Sequence, residues 1–269
     1  LGQLASTIQN ATIRTGVNIF IANGYVAGQQ APHFLLHILP RDNGDGFFNF
    51  LFKMKFETSE KTMSMLGNNL PIMMKNHFGR NPASWHKSTG EKLDVSGTVI
   101  YEDEKTIAFV PKKGAVEGHI IIHSKEENSD IGKLSIESSS HLFYVASFAA
   151  TAIFEGLGAQ GTNIIVKSGY SDDNPEGKLE VHILPRREND DLKYVNWQPK
   201  QGDGNLDGIM AKIKDKTWKV KYVEEKKEVK ELKVQTKVNP LPQALKIEKT
   251  KKQLSPQEEI ERAIKKAQK

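Results

Sequence analysis

Apolar and polar positions over residues 97–184 predict several short strands around one long helix. The stretch 141–156, HLFYVASFAATAIFEG, is apolar and rich in alanine, with Ser139 or Ser140 as an N-cap and the Gly156 and Gly158 region as an end. Short runs rich in isoleucine, valine and aromatic residues are typical of strands. These runs are Gly97 to Phe109 with a turn at Glu102-Asp103, Gly118 to His123, Asn163 to Lys167, and Leu179 to Leu184. The pattern indicates an α+β domain in which a long helix packs across an antiparallel sheet.

A second feature of the pattern is a repeat. Residues 1–52 (the first segment) align without a gap onto residues 146–197 (the second segment) at a constant offset of 145, so that His37–Arg41 meets His182–Arg186. The first segment predicts a helix over residues 1–13 and strands at Val17 to Ala22 and His33 to Leu39. We therefore expect two tandem copies of one fold. The first copy is expected to be incomplete, with its front half upstream.

The remaining boundaries follow from changes in composition. We predict the second half of a first domain over residues 1–56, a helical and turn-rich connector over 57–96, and a second domain over 97–222. Residues 223–269 are rich in lysine and glutamate and predict a flexible tail. Within it, Ser255-Pro256-Gln257-Glu258 has the pattern of a capping box, which predicts a terminal helix over 256–268.

Composition narrows the classes of function. The chain has no cysteine, which excludes disulfides, thiol catalysis and cysteine-ligated metal sites, and no apolar run approaches the roughly 20 residues of a membrane span. The tail carries the whole net charge of +5, since it holds 13 Lys and Arg against 8 Asp and Glu. We expect a cytoplasmic protein without a membrane partner, in which the tail is the candidate contact for nucleic acid.

Candidate chemistry lies between Ala27 and Leu39. On a strand, alternate side chains share a face, so His33, Leu35 and His37 are expected to point the same way. The preceding AGQQAP turn, with Gly28, Gln29 and Gln30, offers backbone N–H groups to a phosphate. Two histidines in an apolar strand are also common as core or rim residues, and that alternative stays open. Neither His33 and His37 nor His77 and His86 has a full set of metal ligands, so we predict no metal and no cofactor.

The stretch Asn23 to Arg41, NGYVAGQQAPHFLLHILPR, resembles the signature of the histidine triad (HIT) superfamily. In that signature a Gly-Gln turn precedes a strand with three alternating histidines, often followed by Pro-Arg. The stretch 99–126, which includes the Gly118-His119 pair, resembles the opening strands of the same family.

The resemblance implies binding of nucleotides or nucleotide conjugates, with attack on the α-phosphorus by the middle histidine. Carried over by position, the turn and the outer histidines would hold and orient the phosphate. The residues at those positions are Gly28, Gln29, Gln30, His33 and His37, with His182 in the second segment.

Both segments depart from the family at the nucleophile. The middle position is Leu35 in the first segment and Glu180 in the second, and the first-histidine position of the second segment is Lys178. Leucine cannot act as a nucleophile, and a glutamate beside a phosphate repels it unless a cation intervenes. No residue is therefore a firm catalytic candidate, and His37 is the fallback.

We predict a HIT-like nucleotide- or phosphate-binding pseudoenzyme that is hydrolase-like in fold. One alternative is a nucleotide hydrolase or transferase acting through a displaced His37, through Glu180, or through a site completed by missing residues. A second alternative is a structural or nucleic-acid-associated scaffold. Members of the family commonly pair two domains edge to edge, which implies an intrachain pseudo-dimer of the two copies. A homodimer of the whole chain is the other possibility.

Overall fold

A computed structural model describes residues 1–80, 95–196 and 206–217. Residues Leu1–Tyr222 form one compact unit. In the described part of this unit, four α-helices and seven strands follow one another along the chain. They are α1 (Gly2–Thr12), β1 (Gly16–Asn23), β2 (Leu36–Arg41), α2 (Glu60–Arg80), β3 (Gly97–Glu102), β4 (Thr106–Pro111), β5 (Ile120–Ser124), α3 (Ile136–Leu157), β6 (Gly161–Gly169), β7 (Glu180–Arg186) and α4 (Leu206–Thr217).

All seven strands belong to one antiparallel sheet in the order β2-β1-β6-β7-β5-β4-β3. The strands of the two segments meet at β1 and β6, where Phe20 pairs with Ile165. These two residues are 145 positions apart, the same offset that relates the segments in sequence. The prediction of an α+β fold with an antiparallel sheet is confirmed.

Strand alternation divides the sheet into two faces. In β6, Ile164 and Val166 belong to the large core beneath the helices, whereas Ile165 belongs to a second apolar cluster on the opposite face. Helix α3 packs against the central strands β4 to β7 on the first face. The second face, which we call the open face, is the one on which Lys167 lies.

The long helix is five residues longer at its start than the apolar pattern suggested. It begins at Ile136 because the Ser135 hydroxyl accepts a hydrogen bond from the Ser138 N–H at 3.1 Å, which caps the first turn. Gly158, with φ of 59°, ends it as expected.

Two further predictions differ from the structure. Helix α2 runs without interruption from Glu60 to Arg80 through Pro71, whereas the sequence pattern of the connector favours a helix over Glu57 to Met65 and a separate apolar segment at 70–74. Strand β2 begins at Leu36, not at His33, because residues 31–35 form bends and irregular backbone after the turn.

Several sequence predictions fall outside the described residues. These are the terminal helix 256–268, the rest of the tail 223–269, and His86. Among the described residues, none of the helices is both long enough and apolar enough to span a bilayer.

Candidate functional site

Five ionisable side chains gather on the open face between β5, β6 and β7. Pairing of Lys167 with Glu180 and of Ile121 with His182 fixes their relative positions across the three strands. His123 projects from β5 on the same face, and His119 lies just before that strand. The group is His119, His123, Lys167, Glu180 and His182, which we call the histidine cluster.

Two imidazoles of the histidine cluster are hydrogen-bonded to each other. His119 Nδ1 accepts a hydrogen bond from the Ala115 N–H at 3.1 Å, and His119 Nε2 lies 3.1 Å from His182 Nδ1. A neutral His119 therefore carries its proton on Nε2 and donates it to His182 Nδ1. The proton of a neutral His182 is then on Nε2, which lies 3.3 Å from Glu180 Oε2 and makes no well-aligned hydrogen bond within the described residues.

Burial keeps both imidazoles neutral near pH 7. Desolvation lowers the pKa of His182 to about 4, although Glu180 acts in the opposite direction. Desolvation, reinforced by the electrostatic interactions with His182 and Lys167, holds the pKa of His119 well below its ordinary value. Neither ring is poised to carry charge at neutral pH.

Glu180 remains ionised in this setting. Desolvation alone would raise its pKa, but hydrogen bonds and charge interactions with His123 and His182 outweigh it and lower the pKa. Since His182 is neutral near pH 7, we assign the main stabilising interaction to His123, whose Nε2 lies 3.2 Å from Glu180 Oε1. The carboxylate at the nucleophile position is thus already engaged.

Lys167 contributes a buried ammonium group. Its Nζ donates a hydrogen bond to the Asp173 carbonyl at 3.2 Å and lies 4.3 Å from the centroid of the Phe52 ring. Desolvation lowers the pKa of Lys167 to about 8, although the nearby charges of Asp173 and Glu180 favour the cation. The lysine is still mainly protonated at neutral pH.

A segment without regular secondary structure covers the histidine cluster. Residues 47–56 follow β2, and the segment is fixed at its end by the bridge between Phe56 and Gly114. Within it, the Phe52 ring lies edge-on to His182 at 4.9 Å and to His119 at 5.8 Å between centroids. The segment therefore closes the two imidazoles off from solvent.

The predicted residues of the first segment are not gathered into one site. His37 lies on the open face beside Phe20, at 6.0 Å between ring centroids, and burial lowers its pKa. His33 and Leu35 precede β2, so they do not share a strand face with His37. The expected alternation of three residues on one strand is wrong.

The predicted turn is formed, but its glutamine is used internally. Gln29 Oε1 accepts a hydrogen bond from the Gly24 N–H at 2.8 Å, and Gln29 Nε2 donates one to the Ala31 carbonyl at 2.8 Å. Gly28 has a φ of 89°, which favours glycine, and the Asn196 side chain packs against its Cα. Gln29 thus holds the turn in shape.

A surface cavity of about 720 Å³ opens beside this turn. Gly28, Gln29 and Gln30 line one side of it, and residues 186–190 with Lys193 and Asn196 line the other. The cavity, which we call the turn cavity, brings three of the predicted binding residues together. The histidine cluster, with His182, is not part of its lining.

Sequence reasoning missed the partners of Glu180. His123 and Phe52 received no role, although the alternation along the strand Gly118 to His123 places His123 on the same face as Ile121, which pairs with His182. No comparable signal exists for Phe52, since its segment has no periodic pattern.

Comparison with known proteins gives the family. A model of the HIT domain matches residues 92–189. A 14 kDa zinc-binding protein from Zea mays is 31% identical over 113 residues, covering 40% of this chain and 81% of that relative. The chain belongs to the HIT family.

Two further similarities accompany this assignment. The asymmetrical bis(5'-nucleosyl)-tetraphosphatase of Schizosaccharomyces pombe is 24% identical over 116 residues, covering 42% of this HIT protein and 64% of the relative. The crystal structure of SMU.412c from Streptococcus mutans UA159 covers 50% of this chain and 91% of its own, with 19% identity and a TM-score of 0.38.

The geometry limits what the histidine cluster can do. The ring nitrogens of His119 and His182 are occupied by protein partners or buried under Phe52, and His123 Nε2 contacts the one carboxylate, that of Glu180. Among residues 1–80, 95–196 and 206–217, no three His, Asp or Glu side chains are arranged so that they could hold a metal ion. The turn cavity is an open surface, but the N–H groups of Gly28 and Gln29 in its turn already donate to the Tyr25 and Gly24 carbonyls, at 2.9 and 3.2 Å.

Proposed function

We propose that this HIT-family chain binds a nucleotide or nucleotide conjugate without transferring the nucleotidyl group through an imidazole. The observation that carries the proposal is Glu180, which occupies the nucleophile position of the second segment and whose Oε1 lies 3.2 Å from His123 Nε2. Leu35 occupies the same position in the first segment. A carboxylate repels an incoming phosphate, and leucine has no lone pair.

Neighbouring imidazoles do not replace the missing nucleophile. His119 has both ring nitrogens in contact with Ala115 and His182, and His182 Nδ1 accepts from His119. An attacking nitrogen must come within roughly 3 to 3.5 Å of phosphorus with a free lone pair. The Phe52 ring occupies the approach to both imidazoles.

The turn cavity is the proposed binding site. Gly28, Gln29 and Gln30 line one side of it, and Lys193 adds a cation on the other. Tyr25, which is 91% exposed, lines the same cavity and offers an aromatic face to a base. The similarity to the tetraphosphatase of Schizosaccharomyces pombe supports a nucleotide as the ligand class.

A second candidate function is hydrolysis through Glu180. It is favoured by Lys167, which pairs with Glu180 across β6 and β7 and supplies a cation that would offset the repulsion of a phosphate. This function requires Phe52 to leave the histidine cluster. Formation of products from a nucleotide distinguishes this hydrolase function from binding alone.

We also propose that the two segments are copies of one unit joined edge to edge. The hairpin β1–β2 pairs Gly16 with Arg41, and the hairpin β6–β7 pairs Gly161 with Arg186, so the register repeats at the offset of 145. A scaffold that contacts nucleic acid through residues 223–269 remains the alternative to a nucleotide site. It predicts that removal of those residues abolishes binding and that added salt weakens it steeply.

The test is calorimetric titration of the full chain with AMP, ADP, GMP and a dinucleoside polyphosphate, with each mixture analysed afterwards for products. We expect binding without products, and Tyr25→Ala should weaken it about tenfold, since stacking of one base contributes roughly 1 to 3 kcal/mol. Phe34→Ala is the matched control, because Phe34 is also highly exposed but does not line the turn cavity.

Each other outcome decides between the candidates. Products that disappear in Glu180→Gln would establish the hydrolase. Products that persist in that variant would contradict both candidates. Absence of binding to every nucleotide would overturn the proposed function.

A further inference from the structure

Two loops with the same internal hydrogen bonds follow β2 and β7. In the loop 41–47, Arg41 Nε lies 2.7 Å from Asp45 Oδ2 and its Nη2 lies 3.1 Å from Asp45 Oδ1. In the loop 186–192, Arg186 makes the same two bonds to Asp190, again at 2.7 and 3.1 Å. The aspartates also accept backbone N–H groups at matching positions, from Phe47 at 2.9 Å and from Leu192 at 3.0 Å.

The backbones of the two loops also match at their left-handed residue. Gly44 has a φ of 78° and Asn189, 145 positions later, a φ of 64°. Asparagine is among the few residues that tolerate this region. The loops differ one step later, since Gly46 has a φ of 71° and Asp191 does not share this left-handed conformation. The bonds from the Phe47 and Leu192 N–H groups, which follow Gly46 and Asp191, still match. We therefore expect the N–H groups of Asn189 and Asp191 to project from the second loop on the same side as those of Gly44 and Gly46 project from the first.

The first loop already binds a carboxylate. Asp172 Oδ1 accepts a hydrogen bond from the Gly44 N–H at 2.6 Å, and Asp172 Oδ2 accepts one from the Gly46 N–H at 2.9 Å. Successive backbone N–H groups of this kind form a concave anion site. The loop therefore holds an oxyanion in this molecule, and the oxyanion comes from its own chain.

The second loop has no such internal anion. The residue at the position equivalent to Asp172, 145 positions earlier, is Ala27, which has no carboxylate. The turn cavity lies between the turn that contains Ala27 and the loop 186–192. Within the described residues, neither the Asn189 N–H nor the Asp191 N–H donates to a protein acceptor. Asn189 lines the turn cavity, and Asn189 and Asp191 together line a neighbouring cavity of about 330 Å³.

The formal charge of the second loop is no less favourable to a bound anion than that of the first loop. Residues 41–48 carry one arginine and two aspartates, a formal charge of −1, and this loop still accepts Asp172. Residues 186–193 carry two arginines and one lysine against three acids, a formal charge of 0. Lys193 also lines the turn cavity and adds a cation beside the donors.

We propose that the loop 187–191 is an oxyanion site in which the N–H groups of Asn189 and Asp191 bind a phosphate or carboxylate group. This inference deepens the proposed function, since it places the charged group of the ligand at one end of the turn cavity. Phosphate and carboxylate groups share the feature that the site requires, which is a planar or tetrahedral oxyanion with two adjacent acceptor oxygens. Inorganic phosphate, acetate and AMP are the probes that distinguish a free phosphate, a carboxylate and the phosphate of a nucleotide as the bound group.

The test follows backbone amide signals by NMR while phosphate, acetate, AMP or adenosine is added to the full chain. We expect saturable shifts of the Asn189 and Asp191 amides with phosphate and AMP, and none with adenosine. The Gly44 and Gly46 amides should stay unchanged in the natural chain, because Asp172 fills their site. In Asp172→Ala they should become responsive to phosphate, and Asp172→Asn serves the same purpose if the alanine variant does not fold.

The outcomes separate this inference from the proposed function. AMP and adenosine binding equally well, with silent Asn189 and Asp191 amides, would overturn the oxyanion site and leave nucleotide binding intact. Phosphate shifts at those amides without any affinity for AMP or adenosine would support the site and overturn the nucleotide. Silence at Asn189 and Asp191, at phosphate concentrations that shift Gly44 and Gly46 in Asp172→Ala, would overturn the site directly.

Discussion

The ring of Phe52 lies edge-on to the imidazole of His182, with 4.9 Å between their centroids and 68° between their planes. The same ring presents its face to the Lys167 ammonium at 4.3 Å. An aromatic edge is electropositive and its face electronegative, so both contacts have favourable geometry. One apolar side chain therefore covers an uncharged imidazole and a cation together.

Phe52→Ala should lower the free energy of unfolding by about 2 to 3 kcal/mol, somewhat less than the usual cost for a fully buried phenylalanine. The physical reasons are the lost apolar burial and the exposure of the groups beneath the ring. Urea denaturation measures the change. Phe48→Ala is the control, since Phe48 lies in the same segment but is 53% exposed and should cost under about 0.5 kcal/mol. Equal losses in the two variants would show that the ring has no special role.

Stability should fall as the pH drops from about 6.5 towards 4. The unfolded chain binds protons at His182 near the ordinary histidine pKa of about 6.5, whereas the folded chain binds one only near pH 4. In this window the unfolded state holds more protons, so acidification favours unfolding, by a few kcal/mol at most. Below pH 4 the His182 contribution should level off. Urea denaturation at pH 7, 6 and 5 measures this slope, which His182→Asn should reduce; an unchanged slope in that variant would contradict it.

Much of the sheet follows from the sequence, because alternation and β-branched runs mark β4 to β7 clearly. The continuous sheet through β1 and β6 was an implication of the family resemblance, and the pairing of Phe20 with Ile165 agrees with it. Alternation failed at His33 because Gln29, in the turn just upstream, bonds to the Ala31 carbonyl within irregular backbone that ends only at Leu36. A local side-chain bond of this kind has no periodic signal.

The site was harder to predict than the sheet. Glu180 was identified from its position, but its contact with His123 depends on the register between β5 and β7, which short strands do not specify in sequence. The cover by Phe52 depends on where an irregular segment crosses the sheet. Such long-range placement is a property of packing, and no local pattern encodes it.

Leu35→His should not create nucleotidyl-transfer activity above that of the natural chain. Position 35 precedes β2, whose first paired residue is Leu36, so a histidine there lacks the fixed strand geometry that a nucleophile needs. Product analysis after incubation with a dinucleoside polyphosphate provides the measurement, with Leu35→Asn as the control for a polar side chain. Turnover in the histidine variant alone would mean that the first segment retains a working pocket.

Asp173→Ala should be among the most destabilising single changes in the described part of the chain. The Asp173 side chain is fully buried and accepts hydrogen bonds from Arg41 Nη1 at 2.8 Å, Asn18 Nδ2 at 3.0 Å and Ser171 Oγ at 2.7 Å. Its removal leaves a buried guanidinium with Asp45 as its remaining carboxylate, and breaking a buried ion pair costs about 3 to 5 kcal/mol.

The control for this loss is Asp191→Ala, which breaks the ion pair with Lys55 at a position where the carboxylate is 62% exposed. Exposed pairs contribute at most about 1 kcal/mol. Asp173→Asn should fall between the two, because the amide keeps one acceptor oxygen but loses the charge that Arg41 requires. Urea denaturation of the three variants gives the ranking. If Asp173→Ala were no more costly than Asp191→Ala, the buried pair would be offset by the desolvation of its own charges, and Arg41 would depend on Asp45 alone.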